Sequence, residues 1–430
     1  MSRKAHCTEA GQWIDQQNRL LVILCLALTL PASLRAQAGQ LDKTFGNGGI
    51  FLGQNAGLAS SAAAALTIQS DGKILIAGQF LAPNGTVQPC VVRLASNGTL
   101  DSSFGQRGVA TVSLGHGGSE LFTGVVVQSD AKIMVAVSSG GADDAPVLEL
   151  ARFQANGTLD TSFGSAGVLE LARGVPDSNA IAQQSDGKIL VGGGFLVARV
   201  NSDGSLDTTF GSNGFAPVIS PASAISLQAN GQILLPESRY NANGTVDTSF
   251  GILGRIATLG PVSPARVQSD GRIVAAGAVT SKVVLGQLPN ATTITGFGLT
   301  RYNSNGSLDT SFGHQGGVVT DFRNIAPSVT PSDVAIETNG NIIVAGQAVQ
   351  LNPTAFLPAP GVFALARYTP TGALDGTFGT GGKIVTSFGK NATAGIAAIA
   401  IDSEGRLVAV GNVASGSNAG SMAVARYLTQ

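Results

Sequence analysis

Arginine and aspartate recur at a constant separation in this sequence, where they could form charged hydrogen bonds. Six arginines are each followed by an aspartate eight residues later. The pairs are Arg93 and Asp101, Arg152 and Asp160, Arg199 and Asp207, Arg239 and Asp247, Arg301 and Asp309, and Arg367 and Asp375. A guanidinium offers a planar fork of donors that matches a carboxylate, and lysine never takes the arginine position. We therefore predict a structural latch, an ion pair in each repeat; a ring of arginines that binds an anionic ligand is the alternative.

One aspartate and one arginine of this pattern have no partner nearby in the sequence. Asp42 has no arginine eight residues before it, and Arg426 lies four residues before the C-terminus. In a closed ring of repeats, the first and last repeats would be neighbours. We therefore predict that Arg426 and Asp42 form a seventh latch that closes the ring.

A phenylalanine follows three residues after each aspartate of this pattern. The seven positions are Phe45, Phe104, Phe163, Phe210, Phe250, Phe312 and Phe378. Since every repeat contains one, we interpret these rings as wedges that pack between neighbouring repeats rather than as parts of a single functional site.

Other residue types that often carry out chemistry are scarce. His116 and His314 lie beside glycines, without the spacing or the acidic neighbours of a zinc site. No serine has the context of a nucleophile elbow. The glycine-rich stretches 46–49 and 192–194 do not open a helix after a strand, as a phosphate-binding loop would. We predict no catalytic residue, no cofactor and no metal site.

One long segment that precedes an arginine contains two neighbouring apolar residues. Residues 346–362 hold Phe356 and Leu357 among prolines. These side chains either pack onto the rim of the fold or present an apolar patch to a partner. Phe356 and Leu357 are therefore our candidate partner-binding residues.

The arginine and aspartate positions belong to a repeat that occurs seven times. A motif close to LDxTFGxxG begins at Leu41, Leu100, Leu159, Leu206, Val246, Leu308 and Leu374. Each copy is followed by a turn such as QSDGK and then by an arginine segment such as LARF. Asp-Gly and Asn-Gly between apolar runs indicate hairpins, because glycine tolerates the positive φ of a tight turn. Each repeat is expected to form four short strands.

Seven units of 40 to 66 residues are typical of radial repetition. We predict an all-β fold, a seven-bladed β-propeller built from four-stranded repeats, with a β-solenoid as the alternative. The predicted repeats are residues 41–99, 100–158, 159–205, 206–245, 246–307, 308–373 and 374–430. In the fourth repeat the segment QILLPESRY lacks room for a full fourth strand, which predicts an incomplete blade.

The linked motifs LDxTFGxxG, QSDGKI and LARYNxxG, at a spacing near 60 residues, resemble the delta-60 repeat, a bacterial β-propeller family without an assigned biochemical function. The resemblance covers residues 41–430. It implies the propeller fold and a protein that is often exported. It implies no catalytic or binding residues.

The N-terminal segment predicts export. A short apolar block at residues 20–31 follows Arg19, and small residues offer cleavage sites after Ala36 or Ala38. This is the pattern of a signal peptide, assigned to residues 1–38, with the propeller in residues 39–430. An uncleaved anchor is the alternative, although the block is short for a bilayer span. Cys90 is the one cysteine of the mature chain. We expect a secreted, periplasmic or cell-surface protein without a membrane span after cleavage.

Charge and composition restrict the partners. The formal net charge is −1 and no cluster of lysine and arginine is present. A nucleic-acid partner is therefore not expected, because phosphate binding requires a basic patch. We expect a monomer that binds an unknown protein or surface ligand.

Three functions are compatible with these observations. The first is an exported, non-enzymatic binding scaffold that uses the long loops of repeats five and six. The second is an enzyme with its site at the central channel, against which the scarcity of histidine and of clustered acids or bases argues. The third is a cell-surface structural module.

Overall fold

Seven β-sheets, arranged around a common axis, make up the fold of the chain in a computed structural model. The structure describes residues 37–82, 85–114, 120–139, 145–175, 178–256, 262–283, 292–322, 326, 328–349, 360–389, 391–415 and 420–430. The prediction of an all-β, seven-bladed propeller is confirmed, and the solenoid alternative is wrong. In the described part of the chain, no helix has the length and hydrophobicity needed to cross a membrane.

The strands follow the chain blade by blade, except for the first. Strand β1 (Ile50–Leu52) belongs to blade 7 and is followed by a short 3-10 helix (Gly53–Ala56). Blade 1 contains β2 (Ser61–Ile68), β3 (Ile74–Leu81), β4 (Val87–Leu94) and β5 (Val109–Thr111). Blade 2 contains β6 (Leu121–Val127), β7 (Ile133–Ser139), β8 (Val147–Phe153) and β9 (Val168–Arg173). Blade 3 contains β10 (Ser178–Gln183), β11 (Ile189–Gly193), β12 (Leu196–Val200) and β13 (Phe215–Pro217).

The remaining blades continue in the same order. Blade 4 contains β14 (Ser226–Leu227), β15 (Ile233–Leu234) and β16 (Arg239–Tyr240). Blade 5 contains β17 (Val262–Val267), β18 (Ile273–Val283), β19 (Thr292–Tyr302) and β20 (Gly317–Thr320). Blade 6 contains β21 (Ser328–Ile336), β22 (Ile342–Val349), β23 (Gly361–Tyr368) and β24 (Lys383–Thr386). Blade 7 contains β25 (Ala392–Ile401), β26 (Leu407–Ser415), β27 (Ser421–Tyr427) and β1.

The blade and the sequence repeat are offset by one strand. In blade 1, the outer strand β5 follows the LDxTFG motif that opens the second sequence repeat. Each repeat thus contributes its first strand to the sheet of the preceding repeat. In blade 7 this outer strand is β1, which pairs antiparallel with β27. A strand near the start of the described chain and the last strand therefore share one sheet.

The apolar runs pack on both of their faces. Along β3, Ile74 and Ile76 belong to the core between blades 7 and 1, whereas Leu75 and Ala77 belong to the core between blades 1 and 2. Successive side chains of a strand point to opposite faces, so a strand between two neighbours must be apolar at every position. This explains why segments such as KILIAG do not alternate with polar residues.

The connections separate into two faces of the propeller. The fixed-turn face holds the turns between first and second strands, such as residues 69–73, and the connections between third and fourth strands, such as residues 95–108. The variable-loop face holds the connections between second and third strands and those between blades. Connections at the variable-loop face differ in length, from residues 194–195 in blade 3 to residues 350–360 in blade 6.

Blade 4 is smaller than its neighbours. Its sheet has three strands of two residues each in the described part of the chain, and Ser238 and Arg255 form an isolated bridge where a fourth strand would begin. This agrees with the incomplete blade expected from QILLPESRY.

Candidate functional site

Each of the seven arginines lies beside its aspartate in the structure. The Nε atom of each arginine donates to Oδ2 of the aspartate at 2.7 to 2.9 Å. The arginines are buried, at 3 to 7% exposure. Arg426 and Asp42, which are distant in sequence, have the same geometry as the other six pairs, with Nε to Oδ2 at 2.9 Å.

Each arginine also lies over the phenylalanine of its own blade. The guanidinium carbon is 4.2 to 4.6 Å from the ring centroid in all seven cases, a cation–π geometry. The seven rings are almost fully buried. The ring therefore covers one face of the cation while the carboxylate meets its edge.

A third contact joins each arginine to the next blade. Arg93 Nη1 donates to the Ala155 carbonyl of blade 2 at 2.7 Å, and Arg426 Nη1 donates to the Ser96 carbonyl of blade 1 at 2.5 Å. The five other arginines bond in the same way to Ser202, Ala242, Ser304, Pro370 and Thr429. The ion pair thus lies within one sheet, and the neighbouring sheet is reached through the carbonyl.

The aspartates accept further hydrogen bonds that the sequence motif also encodes. Asp42 Oδ1 accepts from Thr44 N at 3.0 Å and from Thr44 Oγ1 at 2.6 Å, which accounts for the Ser or Thr in LDxTFG. Burial raises the pKa of these carboxyls, but the Ser or Thr hydrogen bonds and the arginine charge outweigh burial. The pKa of all seven aspartates is held below its usual range.

A second cation, from the SDGK turn, approaches several of these aspartates, and it was not predicted from the sequence. Lys188 Nζ is 2.8 Å from Asp207 Oδ2, and Lys132 Nζ is 3.2 Å from Asp160 Oδ2. In blade 7, Arg406 takes this place at 3.8 Å from Asp42. The signal was the repeated Lys or Arg two residues after the turn aspartate.

The central channel contains a second candidate site. A cavity of about 440 Å³ is lined by residues around the first strands of all seven blades. Its described lining consists mostly of small or apolar residues, such as Ala65, Gly124 and Ala180, and its charged members are Arg266 and Asp333.

Arg266 and Asp333 form an ion pair across blades 5 and 6. Arg266 Nη2 donates to Asp333 Oδ1 at 2.7 Å. Asp333 also accepts from its neighbour Val334 N at 2.8 Å and, through Oδ2, from Ile399 N of blade 7 at 2.9 Å. The side chain of Asp333 is 7% exposed, whereas that of Arg266 is 34% exposed. Burial raises the pKa of Asp333, and Arg266 and the two N–H groups offset this only in part.

This pair occurs once in the seven repeats. When the repeats are aligned on their turns, the position of Arg266 holds Thr67, Val126, Ala182, Ser226, Ala335 and Ala400 in the other blades. The position of Asp333 holds Ala65, Gly124, Ala180, Ala224, Pro264 and Ala398. Comparison of the repeats position by position could have found this pair, whereas a search for shared motifs passes over it.

The remaining sequence candidates lie elsewhere. Phe356, Leu357 and His116 fall outside the residues that the structure describes. His314 lies away from the channel, at an apolar cavity of about 950 Å³ that includes Val319 and Leu374. Cys90 is buried, which raises the pKa of its thiol to about 12. The described residues contain no group of three His, Cys, Asp or Glu side chains that could hold a metal ion.

A family model matches five stretches of the chain. It is described as a domain of unknown function (DUF5122) beta-propeller, and the matched residues are 69–104, 128–163, 184–210, 238–250 and 290–312. Each stretch ends at the phenylalanine of an LDxTFG motif, and each includes an arginine and its aspartate. No curated protein matches this chain.

Several solved structures are similar to the chain at low identity. A protein of unknown function from Dyadobacter fermentans is 9% identical, covers 93% of this chain and 100% of its own, and has a TM-score of 0.38. The PQQ-bound aldose sugar dehydrogenase from Streptomyces coelicolor is 12% identical, covers 85% of this chain and 96% of its own, and has a TM-score of 0.35. A protein of unknown function from Bacteroides caccae is 10% identical, covers 62% of this chain and 85% of its own, and has a TM-score of 0.35.

Proposed function

We propose that this protein is an exported, non-enzymatic β-propeller that binds a protein or surface ligand through its variable-loop face. We also place it, on its motifs, with the delta-60 repeat proteins. The observation that carries the proposal is the contrast between the two faces. The arginine, aspartate and phenylalanine contacts recur in all seven blades near the fixed-turn face, while the connections at the opposite face differ in length. Loops of different length on a rigid scaffold are where recognition usually lies.

Exposed apolar side chains support this choice of face. Phe195, at the tip of blade 3, is 62% exposed, and Ile219 is 38% exposed. The two are neighbours, because Val218 N donates to the Phe195 carbonyl at 2.9 Å. Leu81 and Val87 of blade 1 are 42% and 43% exposed on the same face. Apolar groups in such positions favour contact with a partner.

An enzyme with its site at the channel is less well supported. The charged groups of the described channel lining are Arg266 and Asp333, and the Asp333 carboxylate already accepts three hydrogen bonds. A general base needs a free oxygen directed at substrate. The pair therefore supports binding rather than acid–base chemistry.

Export is tested by the N-terminus of the protein recovered outside the cytoplasm. Mass spectrometry is expected to find a chain that starts at residue 37 or 39, after signal cleavage. A chain that stays in the cytoplasm with residues 1–36 attached would contradict export, and a membrane-bound chain with them would favour the anchor.

Partner binding is tested by affinity capture from the secreting culture with three variants. Phe195→Ser and a deletion of residues 352–358, which leaves the paired strand ends in place, are expected to reduce partner recovery, the latter because it removes Phe356 and Leu357. Leu253→Ser is the matched control, because Leu253 is 75% exposed on the fixed-turn face. Equal recovery with all variants would contradict binding through the variable-loop face. If the unaltered chain recovers no partner, the structural module is favoured instead. Light scattering separately tests whether the protein is a monomer, as expected.

A further inference from the structure

We propose that the central cavity binds a small molecule carrying an oxyanion, either a carboxylate or a phosphate, whose oxygen atoms accept hydrogen bonds from the guanidinium of Arg266. This site lies in the channel and is separate from the variable-loop face. Its ligand is small because the cavity has a volume of about 440 Å³.

An ion pair that occurs in only one of the seven repeats is not needed to hold a blade. The six other blades have small or uncharged residues at the position of Arg266, and their neighbouring sheets pack around the same channel. Removing charges from water is costly, and apolar replacements of buried pairs are often as stable. An ion pair that occurs once among seven otherwise similar strands therefore indicates a function specific to that part of the channel.

Asp333 and Arg266 differ in how many of their hydrogen-bonding atoms remain open to the cavity. Asp333 is fixed by Arg266, Val334 N and Ile399 N and is nearly inaccessible. Arg266 uses Nη2 for Asp333 and reaches its neighbour Ala265 O through Nη1 at 3.3 Å, and a third of its side chain remains exposed. Asp333 thus acts as a positioning residue, and Arg266 presents the rest of its donors to the cavity.

Backbone N–H donors also face this cavity. The first strand of each blade is an edge strand, and its N–H groups alternate between the neighbouring strand and the channel. Val334 N and Ile399 N prove this orientation, because both donate to Asp333. Leu66, Val125 and Ile181 hold the equivalent position three residues before the turn, and all three line the cavity. Their N–H groups add to the donors that an oxyanion would meet.

The charged groups that line the cavity favour an anionic ligand over a cationic one. Within the described lining, the one carboxylate is already paired, and a free anionic group is absent. The cation, by contrast, is partly open to the cavity. An anion therefore finds hydrogen-bond donors there, whereas a cation would compete with Arg266 for Asp333.

The experiment measures binding of two probes, sodium succinate and sodium phosphate, to the mature protein by titration calorimetry at constant ionic strength. We expect saturable binding of at least one probe. Binding of succinate alone assigns a carboxylate ligand, and binding of phosphate alone assigns a phosphate. If neither probe binds the folded protein, the proposal is wrong.

Variants then locate the binding. Arg266→Met is expected to weaken binding by about tenfold or more, because it removes charged hydrogen bonds. Arg255→Met is the matched control, since Arg255 is also a partly exposed arginine, at 48%, and is paired with Glu237 at 2.8 Å, but lies outside the cavity. Because Arg266→Met leaves Asp333 buried without its cation, the double variant Arg266→Met/Asp333→Asn serves where the single one fails to fold. Undiminished binding in a folded variant without Arg266 would overturn the proposal.

Discussion

Each aspartate of the latch is held by several hydrogen-bond donors at once. Each accepts hydrogen bonds from the Ser or Thr two residues later in the sequence and from the arginine at the end of the third strand of its blade. Most also have a second cation nearby. The arginine in turn stacks on phenylalanine and bonds to the next blade. The motif letters D, T, F and R thus describe one cluster of contacts rather than separate features.

This cluster predicts how stability depends on pH. The seven aspartates have a pKa below 3.8 in the folded protein, so the unfolded chain takes up their protons first as the pH falls. Their stabilisation is complete above about pH 5 and is lost as the pH falls further, through the unfolded-state pKa and then the lowered pKa values. Asp333, with its raised pKa, acts in the opposite direction, but it is one group against seven.

Urea unfolding at pH 7, 4 and 3 measures this dependence. We expect the urea midpoint to fall in acid, and to fall less steeply in Asp160→Asn, which no longer titrates. A midpoint that stays constant from pH 7 to pH 3 would contradict the lowered pKa values.

For single residues, the sequence predicted the contacts that depend on a fixed separation along the chain. Asp101 follows Arg93 by eight positions across a single tight connection, so their proximity follows from local geometry. Arg266 and Asp333 are 67 residues apart and meet only because blades 5 and 6 are neighbours around the channel. No local rule gives that contact, and it requires the ring to be known first.

At the scale of the element, the turn between third and fourth strands joins one blade to the next. Gly98 has φ +81°, and a Cβ there would lie 2.7 Å from the Phe45 ring and from Gly46 N. Gly46 N donates to the Asn97 carbonyl at 2.7 Å. The glycine of the Asn-Gly turn therefore provides both the positive φ and the space that the phenylalanine of the preceding blade fills.

The two demands on Gly98 can be separated with a matched variant. Gly57 has φ +79° and open space around a Cβ. Gly57→Ala is expected to cost about 1–2 kcal/mol from the positive φ alone. Gly98→Ala is expected to cost a further ~1–3 kcal/mol, because the methyl group overpacks the Phe45 contact. Equal unfolding free energies of the two variants in urea would contradict this packing.

Blade 4 is expected to be the least protected sheet among the described residues. Its strands have two residues each, whereas β22 and β23 have eight each. Local opening needs little free energy where few backbone hydrogen bonds must break. Hydrogen exchange followed by mass spectrometry should show faster exchange for residues 226–240 than for residues 342–349 and 361–368. Slower exchange in blade 4 would contradict this expectation.

The sequence predicted the strands and turns better than it predicted to which blade each strand belongs. Turn residues and apolar runs identified the hairpins, and the short segment QILLPESRY indicated the reduced blade. The offset of one strand between repeat and blade was not visible, because the sequence motif begins where the chain enters the outer strand of the previous sheet. Pairing of strands, rather than periodicity, decides to which blade a strand belongs.

At the scale of the whole molecule, the ring is closed by chain segments from both ends. Besides β1 and β27, Asp42 N donates to the Arg426 carbonyl at 2.8 Å and Gly39 N donates to the Leu428 carbonyl at 2.6 Å. Asn412 of blade 7 also bonds to the backbone of Ala63 in blade 1, at 2.7 Å to its N–H. The N-terminal and C-terminal segments are thus joined within blade 7, and Asn412 ties that blade to blade 1.

A double-mutant cycle tests whether the ion pair of Arg426 and Asp42 closes the ring. The unfolding free energies of the unaltered chain, Arg426→Ala, Asp42→Ala and the double variant are measured in urea, with Arg173→Ala and Glu170→Ala as an exposed control pair. We expect Arg426→Ala to cost about 3–5 kcal/mol, the closing pair to couple by at least about 1 kcal/mol, and the control pair to couple by less than about 0.5 kcal/mol. Strictly additive effects of Arg426→Ala and Asp42→Ala, with stability close to that of the unaltered chain, would contradict a ring closed by this pair.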